Sequence, residues 1–283
     1  MGHSWKNRPG PAAEMADVAA AQGLWERTRP GYRQLVPWMV AVTLVLVWAG
    51  VAASGIFPKI YVPSPLRVVR DGATLATSGF AGVTLLTDVL ASVGRISAGF
   101  IAAILVGVPI GFWMATSDIV FAAIDPMLQF LRPIPPLAYI PIMIIWFGIG
   151  ELSKVILIFF CTIPIIIISA MSGVRGTQET RLRVARCFGA TRWQVFRHVI
   201  LPSALPEIFT GMRVAIGVAW TCLVAAEMIA SQSGLGAMIH TAGNEIRTGV
   251  VFVGIIFIGL IGYTMELVIR LIEKRVIPWK GKA

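Results

Sequence analysis

The stretch RLRVARCFGATRWQVFRHVILPSALP, residues 181–206, is polar and rich in arginine, yet it lies between long apolar segments. It is the centre of a polar island running from Arg175 to Glu207. It reads as two short helices broken at Gly189. Thr191 opens the second helix as its N-cap, and Gln194 three residues later completes a capping box. Pro202 and Pro206 are expected to end that helix, because proline supplies no backbone donor and clashes with the preceding turn. A compact, capped, basic element of this kind has a good shape for gripping another protein.

The surroundings decide what kind of molecule carries it. Of 283 residues, 57% are hydrophobic and 13% charged, about half the charged fraction of an ordinary soluble domain. The chain is therefore read as an all-α integral membrane protein. Its formal net charge of +10 is assigned to loops flanking apolar spans rather than to nucleic-acid binding. Cys161, Cys187 and Cys222 are scattered without metal-ligand spacing and read as small packing residues. Residues 1–33 lack the apolar core of a cleavable signal peptide, so the first apolar segment is expected to be retained. Prolines and an alanine-rich run within residues 1–34 suggest a mobile or weakly helical cytoplasmic tail.

A membrane-crossing helix needs about 20 mostly apolar residues. Six segments qualify, at roughly 35–54, 89–115, 124–149, 153–174, 208–230 and 250–272. Basic residues gather before the first span (Lys6, Arg8, Arg27, Arg29, Arg33), between the fourth and fifth, and after the sixth (Arg270, Lys274, Arg275, Lys280, Lys282). The other side holds Lys59, Arg67, Arg70, Lys154 and Arg247. That asymmetry puts both termini and the 175–207 loop in the cytoplasm. The expected organisation is a tail at 1–34, a first span at 35–54 and a periplasmic loop at 55–88. A core follows at 89–274, with a short tail at 275–283. The outer loop is expected to be extended at its prolines and then to form a short amphipathic helix.

Within the core, Gly99, Ala103, Gly107 and Gly111 recur every four residues, so one face of the second span admits a close helix neighbour. A moving seam and a static groove are both compatible with that stripe. Pro133, Pro135, Pro136 and Pro141 interrupt the third span. Irregular backbone at membrane depth persists only where protein buries it or where it lines a wet cavity. This makes Arg132, Pro135 and Pro136 candidates for a translocation path; the alternative is a helix start at the membrane surface. Among ionisable residues in spans, Glu227 is the deepest carboxylate. Pairing with an arginine, lining the path and capping a helix end are its three readings, the ion pair being favoured.

The polar stretch and its neighbours resemble the membrane subunit of type I ATP-binding cassette importers. That family's loop reads E-A-A, three residues, G, nine residues, I-x-L-P. Here Ala185 and Gly189 match, Val199 replaces isoleucine, and Leu201 and Pro202 follow. Arg183 stands where the glutamate would be and Val184 replaces the first alanine. The segments around 125–159 and 189–236 and the closing VIPWKGKA are similar to the sulfonate, taurine and nitrate branch, with taurine-type members nearest. The similarity spans roughly residues 35–280.

The resemblance implies a type I permease fold in a bacterial inner membrane, working as a pair, most simply a homodimer. It further implies two cytoplasmic ATP-binding subunits that hold ATP and magnesium, and a periplasmic solute-binding protein. Arg183, Val184, Ala185, Arg186, Cys187, Phe188, Gly189 and Ala190 would form the coupling helix, supported by Thr191, Gln194, Leu201 and Pro202. The solute would be a small organic anion, taurine or another sulfonate; nitrate and an aromatic acid are the alternatives. No GxxxxGK[ST] sequence is present to cradle phosphates, so this chain is not expected to hydrolyse ATP or to hold a cofactor or metal. Neither a catalytic motif nor a histidine cluster supports an enzyme. An ion-coupled secondary transporter is the rival from another class, without the internal repeat such folds often carry.

Overall fold

The structure, a computed structural model, describes residues 35–58 and 60–279. The expected tail and Lys6, Arg8, Arg27, Arg29, Arg33, Lys59, Lys280 and Lys282 lie outside the described residues. The chain divides into two units, 1–65 and 66–283. In the first, helix α1 (Val36–Ala53) begins at a proline in its first turn and is apolar on every face, as a helix in lipid is. The Trp48 indole then ties the following segment down by donating to the Pro63 carbonyl at 3.0 Å.

The second unit is built around one central helix. Helix α2 (Pro65–Ser78) buries Val68 and Leu75, one heptad apart, as the expected amphipathic helix should. Helix α3 (Leu85–Thr116) starts where the Thr84 hydroxyl accepts from the Thr87 amide, and runs through Pro109 unbroken. Helix α6 (Glu151–Arg175) packs between α3 and α9 (Leu201–Ala230). The glycine stripe is the α3 side of the α3–α6 seam. A methyl group at Gly99 would lie 2.7 Å from the Ile158 Cβ, and one at Gly111 would lie 2.6 Å from the Ala170 Cβ. Helices α10 (Leu235–Asn244) and α11 (Thr248–Val276) close the other flank of α9.

Two expected spans differ from their reading. The third is not one helix: α4 (Asp118–Leu131) and the piece Pro136–Phe147, which contains α5 (Ile140–Phe147), are bent by 95°. The cause is local. Pro136 pushes Pro135 into extended backbone, with ψ 128°. Pro141 then sits harmlessly at the start of α5, where its missing donor is not needed. The fifth span starts earlier than expected. Pro202 and Pro206 do not end the helix begun at Thr191. Helix α8 (Arg192–Val195) passes through a π turn at Phe196–Ile200 directly into α9. The wider turn shifts the hydrogen-bond register just ahead of Pro202, which falls in the first turn of α9, and Pro206 is carried inside it. Among the described residues, five helical runs are long and apolar enough to cross a membrane, or six with the bent pair taken as one.

Candidate functional site

Three features of the second unit bear on function: an exposed capped loop, an apolar cavity, and a buried polar knot.

The loop is rigid by construction. Helix α7 (Glu179–Cys187) ends in a Schellman motif. Gly189 takes φ +73° and donates to the Arg186 carbonyl at 2.9 Å, while Ala190 donates to Ala185 at 3.1 Å. The capping box is present as expected: the Thr191 hydroxyl accepts from the Gln194 amide, and the Gln194 side chain accepts from the Thr191 amide at 2.8 Å. Arg183 pairs with Glu179 one turn earlier, at 2.6 Å and in solvent, a contact worth little by itself. Below the loop, Trp193 stacks on Phe196, which meets Phe112 of α3 edge-on at 5.5 Å. The short helices are thus seated on the core cluster of Phe112, Ala170, Val174, Ala204 and Ile208. The tip stays exposed: beside its arginines it presents large apolar side chains, with Phe188 88% exposed and Val184 49%.

The cavity, about 730 Å³, lies between the bent 131–146 segment, α6 and α9. Apolar side chains such as Trp146 and Phe160 make most of its wall, and Arg132, Ser169, Glu207 and Thr210 bring polar groups to it. Of the candidate path residues, Arg132 and Pro136 line it, whereas Pro135 and Glu227 do not. Its size is that of an ordinary small-molecule site.

Glu227 sits instead in the knot, nine residues further along α9 than Val218, the last α9 residue lining the cavity. It is fully buried, and Arg95 of α3 donates to it at 2.6 Å. The Ser92 hydroxyl donates at 2.8 Å and the Gly236 amide at 2.9 Å. Arg95 also donates to Glu151 on α6 and to the Ser233 carbonyl. Buried Lys154 reaches the Ser231 hydroxyl at 3.0 Å. The start of α10 is held by this group: the amides of Gly234, Leu235 and Gly236 donate to Asp88, Ser92 and Glu227 respectively. Those amides have no partners within their own helix, and acidic acceptors suit the positive helix start. Both the ion-pair and the helix-capping readings of Glu227 therefore describe what it does. Arg213 is likewise paired, meeting Glu273 of α11 at 3.0 Å.

Several members of these sites were not singled out beforehand. Asp88 was placed in the outer loop and Lys154 was counted only as a basic residue at the outer end of the fourth span, but each lies buried in the first turns of a helix. Ser92, Ser169 and Glu207 gave no local signal. The α6–α9 seam, where Gly211 meets Ser169 and Gly173 meets Ala204, carried one: Gly211, Ala215 and Ala219 recur every four residues.

A helical membrane unit with a capped loop at one end and a cavity beside its central helices is the architecture of a permease. Residues 107–278 match the model of the binding-protein-dependent transport system inner membrane component. The chain is 43% identical over 240 residues to the taurine transport system permease protein TauC of Escherichia coli (strain K12), covering 84% of this chain and 87% of that one. It is 33% identical over 259 residues to the putative aliphatic sulfonates transport permease protein SsuC of Bacillus subtilis (strain 168), covering 90% and 92%. The nitrate import permease protein NrtB of Leptolyngbya laminosa is 34% identical over 223 residues, covering 77% and 80%. A chain of the MetNI methionine ABC transporter, solved in inward-facing conformations, shares the fold with a TM-score of 0.59 at 17% identity, over 68% of this chain and 95% of that one.

The chain belongs to the family of binding-protein-dependent transport system inner membrane components. It is a multi-pass permease subunit of an ATP-binding cassette importer, in the branch that includes taurine, sulfonate and nitrate permeases. Such a subunit works with ATP-binding and substrate-binding partners and is not itself the ATPase. Membership of this family sets aside the ion-coupled alternative.

Proposed function

We propose that two copies of this chain form the pore of an importer for a small organic anion, taurine or another sulfonate, in a bacterial inner membrane. Each copy docks one ATP-binding subunit through the Arg183–Ala190 tip, and those subunits hold ATP and magnesium. Both termini and the tip face the cytoplasm. A periplasmic binding protein delivers solute to the opposite face. Closure of the ATPases on nucleotide draws the tips together and swings the pore from inward- to outward-facing, with the cavity as part of the solute path.

The observation that carries this reading is the tip itself. Two caps of different kinds fix its backbone, aromatic rings fix its base, and a large apolar side chain projects from it unpartnered among the described residues. A buried aromatic anchor in a partner's cleft is the usual centre of a binding interface. The higher identity to TauC than to NrtB supports a sulfonate over nitrate.

The chain holds its own probe. Cys187 is exposed at the end of α7, whereas Cys161 and Cys222 are buried. A membrane-impermeant maleimide is expected to label Cys187 in inside-out vesicles carrying the permease alone. It should fail in right-side-out cells and when the ATP-binding subunit is co-expressed. Labelling from the periplasmic side, or none of this protection, would overturn the docking role. Uptake of labelled taurine, alkanesulfonate and nitrate by the assembled importer decides the solute.

A further inference from the structure

One wall of the cavity carries an arrangement that the permease reading does not require. Arg132, Ser169 and Glu207 all line it. Among the described residues, none of the three side chains has a hydrogen-bond or ion-pair partner, in contrast to the knot and to the Arg213–Glu273 pair. They come from three elements. Arg132 follows the end of α4, Ser169 is on α6 and Glu207 on α9.

They also stand near one level. Arg132 shares a neighbouring hollow of about 490 Å³ with Ile168 and Met171, which flank Ser169 in the sequence. Ser169 packs against Gly211, and Gly173 packs against the Glu207 side chain. The two helices therefore run past each other in opposite directions, with Glu207 about 6 Å along the axis from the Ser169 level, one turn of helix. Apart from Thr210 and Tyr139 the rest of the wall is mostly apolar, with Ile134, Trp146, Phe160, Ile165 and Val214. Opposite charges left apart across an apolar hollow, rather than paired with each other, form the complement of a molecule that is itself charged at both ends.

We propose that Arg132, Ser169 and Glu207 form a transient solute site in the pore for a small zwitterion, with an anionic oxyacid group on Arg132 and Ser169 and an ammonium group on Glu207. This rests on the cavity being part of the solute path, as proposed above, and deepens it. A guanidinium presents a planar fork of donors to a tetrahedral oxyanion, and the serine hydroxyl adds a donor. Glu207 accepts from the ammonium. The apolar wall covers the short hydrocarbon link between them. An aminosulfonate satisfies all three groups. An unaminated sulfonate or nitrate leaves the Glu207 carboxylate facing an anion, which penalises it at this point of the path even when the binding protein delivers it.

Equilibrium binding of 2-aminoethanesulfonate, ethanesulfonate and nitrate to the purified permease–ATPase complex, without binding protein, reads the site directly. The wild type is expected to favour the aminosulfonate over ethanesulfonate by roughly tenfold, the worth of one charge-assisted hydrogen bond. Glu207→Gln should erase that preference, and Glu207→Asp should largely restore it. Arg132→Gln should weaken both sulfonates by about as much. Co-purification of the ATP-binding subunit with each variant confirms assembly. Equal binding of the two sulfonates, no binding of either, or a preference untouched by Glu207→Gln in an assembled complex would overturn the site. Uptake by the intact importer separates the two levels. Sulfonate uptake without cavity binding removes only this inference, whereas uptake of no sulfonate removes the proposed function with it.

Discussion

Arg95 on α3 and Glu227 on α9 lie 132 residues apart in sequence and 2.6 Å apart in space, with neither side chain in reach of solvent. The same guanidinium holds Glu151 of α6 and the Ser233 carbonyl. One side chain thus joins all three helices of the core to the loop that starts α10.

Removing Arg95 strands the Glu227 carboxylate in the interior. Breaking a buried pair from one side costs about 3–5 kcal/mol. Arg95→Met should therefore lower the melting temperature of the detergent-solubilised permease clearly more than Glu227→Gln does, since a neutral amide still offers groups to Ser92 and Gly236. Equal melting of Arg95→Met and the wild type would show that the knot does not hold the fold.

Gly234 is held at φ +116°, and a methyl group there would run into the Glu227 carboxylate. Gly234→Ala should destabilise by about 1–3 kcal/mol from the backbone alone. Gly217 is the control. It lies inside α9 with nothing near a would-be methyl group, so Gly217→Ala should be neutral or should stabilise by about 0.5–1 kcal/mol. Thermal unfolding of the two variants side by side checks both signs.

The α3–α6 seam predicts a graded response. Gly111 lies against α6 backbone and the Ala170 methyl, while Gly94 on the same helix has open space. Gly111→Val should cost about 1–3 kcal/mol through overpacking, and Gly94→Ala almost nothing. Comparable losses at the two positions, measured as folded yield after heating, would contradict a close-packed seam.

At the tip, Gly189→Pro removes both the positive φ and the amide that closes the Schellman motif. Membrane insertion should survive, while transport falls and ATP hydrolysis persists without it. Phe188→Ala leaves the backbone intact and should weaken association with the ATP-binding subunit about tenfold or more, as loss of an aromatic anchor does. Unchanged pull-down with Phe188→Ala would locate the docking energy elsewhere.

What the sequence disclosed follows from how local each signal is. The capping box at Thr191 and Gln194 spans three residues and was legible outright, as were four of the six apolar spans. The prolines after Arg132 announced a break, but not that the two pieces would be bent by 95°. The continuation through Pro202 was hidden because the π turn that accommodates it has no residue signature of its own. Arg95 and Glu227 were conspicuous as charges inside spans, yet nothing in the chain pointed to Asp88, Ser92 and Lys154 as their company. Glu207 and Ser169 were invisible for the opposite reason. A glutamate at the edge of a polar island and a serine in a small-residue run become informative only when the fold leaves them facing one hollow.

The π turn has a mechanical corollary. From Arg192 to Ala230 the chain is helical for 39 residues, about 58 Å at the usual rise, and no hinge loop divides the span. A tug on Thr191 therefore arrives at the Arg95 clasp as the tilt of a single rod. The five residues Phe196–Ile200 are where that rod is most loosely wound, so under the proposed coupling any slack in the motion is expected there.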